Sequence, residues 1–173
     1  WNLNAGRQGV DPRLSLAHGM ALDIRKDRPG AQAKLPAGLP KDAKQFVSDT
    51  GQLRWDVSEK GAGYFIADTP RSKLFTGFVR GRTFQFGDVT LEIGRTRLDW
   101  ATVSLAVIDG EGFQSAKPAR ILIAATGWVQ NTDAELENLG GDRVTLGNRW
   151  GNEPILCEGV PAAISLPVKP DRV

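Results

Sequence analysis

Phe46 to Val79, FVSDTGQLRWDVSEKGAGYFIADTPRSKLFTGFV, is the stretch that decides the fold. Gln52–Val57 (QLRWDV) alternates, placing Leu53, Trp55 and Val57 on one face of a strand that the pattern puts toward a core. Gly61–Ala67 (GAGYFIA) reads as the next strand, and Ser58–Gly61 (SEKG) between them as a hairpin turn. Leu74–Val79 is a further strand, closed by Arg80–Gly81. Three short strands in 34 residues leave no room for helical crossovers, so the sheet must be antiparallel.

The same reading extends in both directions. Downstream, Arg82–Phe86 and Val89–Ile93 pair across Gly87–Asp88. Trp100–Ile108 (WATVSLAVI) is nearly continuous in apolar residues, as expected of a central strand covered on both faces, with Trp100 in the core or at its edge. Arg120–Ala125, Arg143–Leu146, Pro154–Glu158 and Ala162–Pro167 complete the set. The best helical segment is Thr132–Leu139, two turns at most, with a cap-like start at Thr132 or Asp133. Upstream, Leu14, Leu16, His18, Met20, Leu22 and Ile24 occupy alternate positions and read as a strand. Residues 25–44 hold three Pro and two Gly and break all periodicity, so they read as a long surface loop. Ten to twelve short strands with regular turns define an all-β antiparallel sandwich, jelly-roll in type. At 173 residues, positions 14–173 form one domain and positions 1–13 a lead-in from a preceding segment. With Trp1 in place of an initiator Met, the chain reads as a processed or excised piece.

Charge and composition exclude several functions. Lys and Arg number 22 against 20 Asp and Glu, and the basic residues do not form the stripe that neutralises phosphates, so no nucleic-acid partner is expected. No run reaches the ~18 apolar residues of a membrane span. One histidine, His18, and one cysteine, Cys157, cannot build a zinc cluster or a disulfide. His18, on an alternating apolar run, reads as a structural histidine, and Cys157 as a buried small hydrophobe. No G-x-S-x-G elbow, phosphate loop or dinucleotide fingerprint is present. The carboxylates Asp56, Asp68, Asp99, Asp109, Glu111, Glu135, Glu153 and Glu158 show no spacing that selects a catalytic pair. Asp109 and Glu111, in DGEG, have the short acidic spacing of a structural Ca²⁺ site, and equally of a polar hairpin turn.

The tryptophans are the best functional material. Sugar rings present apolar C–H faces to indoles, and Asn, Asp or Arg bond the hydroxyls. Trp55 alternates with Leu53 and Val57 and reads as core. Trp128 sits at a strand-to-loop junction before Asn131, and Trp150 lies in GNRWGNE between Arg149 and Asn152. Aromatics in such loops are often partly exposed. Trp128, Trp150, Asn131, Arg149 and Asn152 are therefore the candidate ligand-binding residues. The rival reading has both tryptophans capping the core or docking on another domain.

Segments of the form SDTGxLxWD…GxxxxxTPRxKxxxGF, here Ser48–Asp56 and Gly63–Phe78, resemble the accessory β-sandwich that follows the catalytic barrel in a group of bacterial glycoside hydrolases. The resemblance continues through Asp88–Ile93, Trp100–Asp109, Ile121–Asn131 and Gly147–Pro161. It implies a non-catalytic, carbohydrate-binding-module-like domain that needs no cofactor. The implied partners are a plant or algal polysaccharide of the β-glucan, mannan or xylan class and a catalytic domain in the same protein. The implied location is secreted, periplasmic or cell-surface. It further implies another strand just after Val173. A purely structural module packed on the barrel, or a small jelly-roll hydrolase or lyase, are the alternatives.

Overall fold

A computed structural model of the chain describes residues 12–19, 39–114 and 120–167. It is an all-β antiparallel sandwich. The strands are β1 Gln45–Val47, β2 Leu53–Asp56, β3 Tyr64–Asp68, β4 Ser72–Phe78, β5 Thr83–Phe86, β6 Val89–Ile93 and β7 Trp100–Asp109. They continue with β8 Arg120–Thr126, β9 Val129–Thr132, β10 Glu137–Gly140, β11 Arg143–Thr145, β12 Asn152–Cys157 and β13 Ala162–Ser165. One layer is a six-stranded sheet in the order β1-β2-β3-β4-β7-β8, and the other is a three-stranded sheet, β13-β6-β5. Strands β9 and β12 form one two-stranded ribbon, and β10 and β11 another.

The core lies between the two sheets, and period-2 burial explains which residues enter it. Phe75 and Val79 from β4 and its end, and Ala101, Val103, Leu105 and Val107 from β7, point inward. Phe84, Phe86, Val89, Leu91 and Ile93 from β5 and β6 meet them. Phe75 and Phe84 join the layers with ring centroids 4.1 Å apart.

The motif residues that carry the resemblance build turns and close approaches. In SDTG, Ser48 Oγ accepts from Leu53 N at 3.0 Å and Gly51 N donates to Ser48 O at 2.8 Å, closing the β1–β2 hairpin. In DTPRSK, Thr69 Oγ1 accepts from Ser72 N at 2.8 Å and from Arg71 N at 3.3 Å, closing β3–β4. Lys73, buried on β4, is bonded to Asp68. Gly77 has φ +145°, and a Cβ there would stand 2.5 Å from Tyr64 Cα and 2.6 Å from Gly63 O. Only glycine lets β4 pass so close to β3 at that point.

Four expectations are corrected. Residues 12–16 form a 3-10 helix, not the start of a strand. Pro12 opens it with a pre-set φ, and Leu14 and Ala17, three apart, are buried while Leu16 is exposed, the 3-10 period rather than alternation. Positions 20–24 of that expected strand, residues 1–11 of the lead-in and 25–38 of the long loop lie outside the described residues. Thr132–Leu139 is not helical: β9 ends at Thr132, Asp133 takes φ +60°, and β10 begins at Glu137. Strand β7 is buried on one face only, with Thr102, Ser104 and Ala106 half-buried on the other. Trp55 and Cys157, read as core, and Trp100, read as core or its edge, are all exposed. Leu53, Trp55 and Val57 do share a face, but it is the outer face of the large sheet. The strands number thirteen among the described residues, in keeping with the about ten to twelve expected. No helix among these residues is long and apolar enough to cross a membrane.

Asp56, on the inner side of β2, accepts hydrogen bonds from Gln45, Ser58 and Tyr64. Burial is the largest single influence and disfavours its charge, but bonds from Ser58, Gln45 and Tyr64 together outweigh it and hold the carboxyl below its ordinary range. Burial and the Asp56 charge in turn push the Tyr64 phenol up. A depressed carboxylate stabilises the fold above its unfolded pKa, and that contribution is lost as pH falls through the folded value. Urea unfolding should therefore show Asp56→Asn less stable than wild type at neutral pH, with the gap closing below about pH 4. A gap independent of pH would remove the carboxylate's charge from the account.

Candidate functional site

The ribbon β9–β12, the residue before it and the loop before β12 carry the five candidate residues, and three of them, Trp128, Asn131 and Trp150, come together in one cleft. Val129 pairs with Cys157, Gln130 with Leu156 and Asn131 with Ile155; the register then shifts, so that Thr132 faces Asn152. The loop Leu146–Gly151 folds back over the end of this ribbon. Arg149 N donates to Leu146 O at 2.7 Å, and Glu135 N to Arg149 O at 3.2 Å. Asn131 Nδ2 donates to Trp150 O at 2.9 Å, tying the loop to β9. The result is a cleft of about 360 Å³ lined by Trp128, Asn131, Leu136, Leu146, Trp150 and Ile155 among others.

The two indoles are held differently. Trp150 is 62% exposed. Trp128 is half-buried, and the guanidinium of Arg97 lies 4.0 Å from its ring centroid, so one face is occupied by a cation–π contact. Glu158 fixes this pair: one carboxylate oxygen accepts from Arg97 N at 2.6 Å, the other from Trp128 N at 3.0 Å. Trp150 is thus the free stacking face, and Trp128 a wall set from behind. Arg149 and Asn152 do not line the cleft. Arg149 is paired with Glu135 at 2.8 Å, an exposed ion pair of the kind that contributes little and exchanges partners readily.

The other sequence candidates separate from this cleft. Asp109, at the end of β7, faces Arg120 at 3.4 Å. Glu111 lines a cleft of about 450 Å³ with Asp68, Lys73 and Asp88, at the end of the sandwich near the β3–β4 turn. There Asp68 is taken by Lys73, and Asp88 accepts from Gln114 at 2.6 Å. Among the described residues no group of three or more His, Cys, Asp or Glu converges to hold a metal, so Asp109 and Glu111 acquire no further ligand of those types. His18 Nδ1 sits 2.6 Å from Asp49 Oδ1, pinning the 3-10 segment to the β1–β2 hairpin, as a structural histidine would.

Sequence reasoning missed a second aromatic cluster. Trp55, Phe65, Phe78 and Trp100 line a groove of about 390 Å³ on the outer face of the six-stranded sheet. The signal was present in WATVSLAVI, where Thr102 and Ser104 alternate with the buried residues and mark an uncovered face.

No known protein family, curated protein or solved structure matches the chain. Its function therefore rests on the geometry of these clefts.

Proposed function

We propose that this chain is a non-catalytic accessory β-sandwich of a bacterial polysaccharide-degrading glycoside hydrolase, and that it binds glycan at the Trp128–Trp150 cleft. The observation that carries the reading is the convergence of two indoles and Asn131 in one open cleft with an apolar floor. An indole offers a flat, rigid apolar face that costs little entropy to order, and polar neighbours supply orientation. Trp150 stacks on a sugar ring, Trp128 walls the cleft, and Asn131, with Gln130 beside it, supplies hydroxyl contacts. The partner is a plant or algal polysaccharide of the β-glucan, mannan or xylan class, which sets the place of work outside the cytoplasm. A structural Ca²⁺ near Asp109 and Glu111 is not required by this role.

Affinity electrophoresis of the 173-residue chain in gels holding soluble glycans of these classes tests the reading. Retardation on one class is expected, weakened about tenfold or more in Trp150→Ala, a loss of ~1.4 kcal/mol. Trp128→Ala should act similarly, because it also releases Arg97. Retardation untouched in both variants would sink the cleft as the binding site.

A second reading, a structural module packed on a catalytic barrel, is favoured by one observation. Leu122 and Ile123 of β8 point to opposite faces and are 54% and 46% exposed. An edge strand apolar on both sides reads as one designed to be covered. Absence of retardation on every glycan, with folded Trp128 and Trp150 variants, would leave this reading standing.

A further inference from the structure

We propose that the outer face of the six-stranded sheet is a separate glycan-binding surface, which holds an extended neutral chain in the groove between Trp55 and Trp100. It does not rest on the Trp128–Trp150 cleft, which belongs to other strands.

The register lays out this face as continuous cross-strand rungs. Trp55 on β2 pairs with Phe65 on β3, Phe65 with Thr76 on β4, Thr76 with Thr102 on β7, and Thr102 with Thr126 on β8. The neighbouring rung pairs Phe78 with Trp100. Trp55 and Trp100 stand three strand spacings apart, about 14 Å, and Phe65 and Thr76 floor the space between them. That span suits a run of sugar units and is too wide for a single ring.

Both indoles are set in place while open to solvent. Phe46, itself buried, packs on Trp55 at 5.7 Å, and Phe78 meets Trp100 edge-to-face at 5.2 Å and 84°. Trp55 is nevertheless 38% and Trp100 41% exposed. Rings held this way lose little freedom on binding, so most of the contact energy survives as affinity.

The hydroxyls decide the chemistry of the occupant. Thr76 Oγ1 and Thr102 Oγ1 share a hydrogen bond of 2.7 Å, and Thr126 continues the same line, exposed. An apolar protein surface laid here would strip these hydroxyls of water and leave hydrogen-bonding capacity unmet. A glycan stacks its C–H faces on the aromatic end and exchanges hydrogen bonds along the threonine lane. Neutrality follows from the charges at the groove's end. Glu59 is bridged by Arg80 at 2.5 Å and Arg82 at 2.6 Å, and Lys60 is the single cation among the described lining residues. A polyanionic chain would find one counter-charge.

The test is affinity electrophoresis of the full chain in gels holding glucomannan, hydroxyethylcellulose or arabinoxylan. We expect retardation on at least one, weakened about tenfold or more in Trp55→Ala and Trp100→Ala. Thr102→Val, close in shape, should weaken it severalfold while the protein stays folded, the lost Thr76 bond lowering its unfolding midpoint slightly, and it carries the test if a tryptophan variant fails to fold. Loss in the Trp55 and Trp100 variants with wild-type binding by Trp150→Ala would keep this surface and remove the other cleft. Wild-type retardation in folded Trp55, Trp100 and Thr102 variants overturns the proposal, as does absence of retardation on all three glycans. So does a dimer seen by light scattering and dissolved by Trp100→Ala, which would make a second copy the occupant.

Discussion

Phe75→Ala is expected to destabilise the fold by about 3–5 kcal/mol, the range for emptying a fully buried phenylalanine site. Phe75 is 0% exposed at the centre of β4 and touches both layers. Its ring lies 4.1 Å from Phe84 of the small sheet and 6.2 Å from Tyr64 on the neighbouring strand. Removing it opens a cavity where the three-stranded sheet gains its hold on the six-stranded one, and neighbouring aromatics are too rigid to fill it. Against a typical stability of about 5–15 kcal/mol, that is a large fraction. Equilibrium urea unfolding measures it, with Ile108→Ala, 59% exposed on β7, as a control expected within about 0.5 kcal/mol of wild type. A Phe75→Ala protein within 1 kcal/mol of wild type would mean that the two sheets do not share the core described above.

The strands were legible because their signals are local. Gly87–Asp88 joined two alternating runs, and β5 and β6 pair across it, Phe86 opposite Val89. The SDTG and DTPRSK turns carried their own hydroxyl acceptors, so hairpins could be read from a few residues. What sequence did not yield was the side of the sheet that faces solvent. Leu53, Trp55 and Val57 alternate correctly, but alternation says only that they share a face. Which face is covered depends on where β5, β6 and β13 pack, a non-local matter. The same limit explains Trp100 and Cys157. The 3-10 turn at Pro12 was lost for a different reason: over five residues, a 3-10 repeat with one proline mimics alternation. The Trp128–Trp150 cluster was legible because its polar and glycine-rich flanks mark loops, and loops near one ribbon end tend to meet. Arg149 and Asn152 were read as ligand contacts from adjacency to Trp150. In the folded loop Arg149 pairs with Glu135, and Asn152, at the start of β12, stands opposite Thr132 of β9.

Gly151→Ala should dismantle that cluster while leaving the core intact. Gly151 has φ +74°, a region a side chain tolerates poorly. A Cβ would also collide with Thr132 O and stand 2.6 Å from Ala134 N and 3.0 Å from Ala134 Cα. All three are backbone atoms, so no side chain can swing aside. Strain of this kind costs about 1–3 kcal/mol, and the overlap about as much again. None of the core residues lies on β9 or β12, so the cost falls on the ribbon and not on the sandwich. The loop must lift from β9, breaking the Asn131–Trp150 bond and carrying the Trp150 ring away from Trp128. Native-state amide exchange should accelerate 30-fold or more across 129–132 and 152–157, the factor for ~2 kcal/mol. Exchange in β4 and β7 should stay at wild-type rates. Binding through the cleft should disappear with the ribbon, while binding across Trp55 and Trp100 persists, because that groove shares no strand with it. Unchanged exchange in β9 and β12 would show that the loop has room the described backbone does not contain. A ribbon that opens without any loss of glycan retardation would place the binding energy elsewhere, and the outer face of the large sheet would be the first place to look.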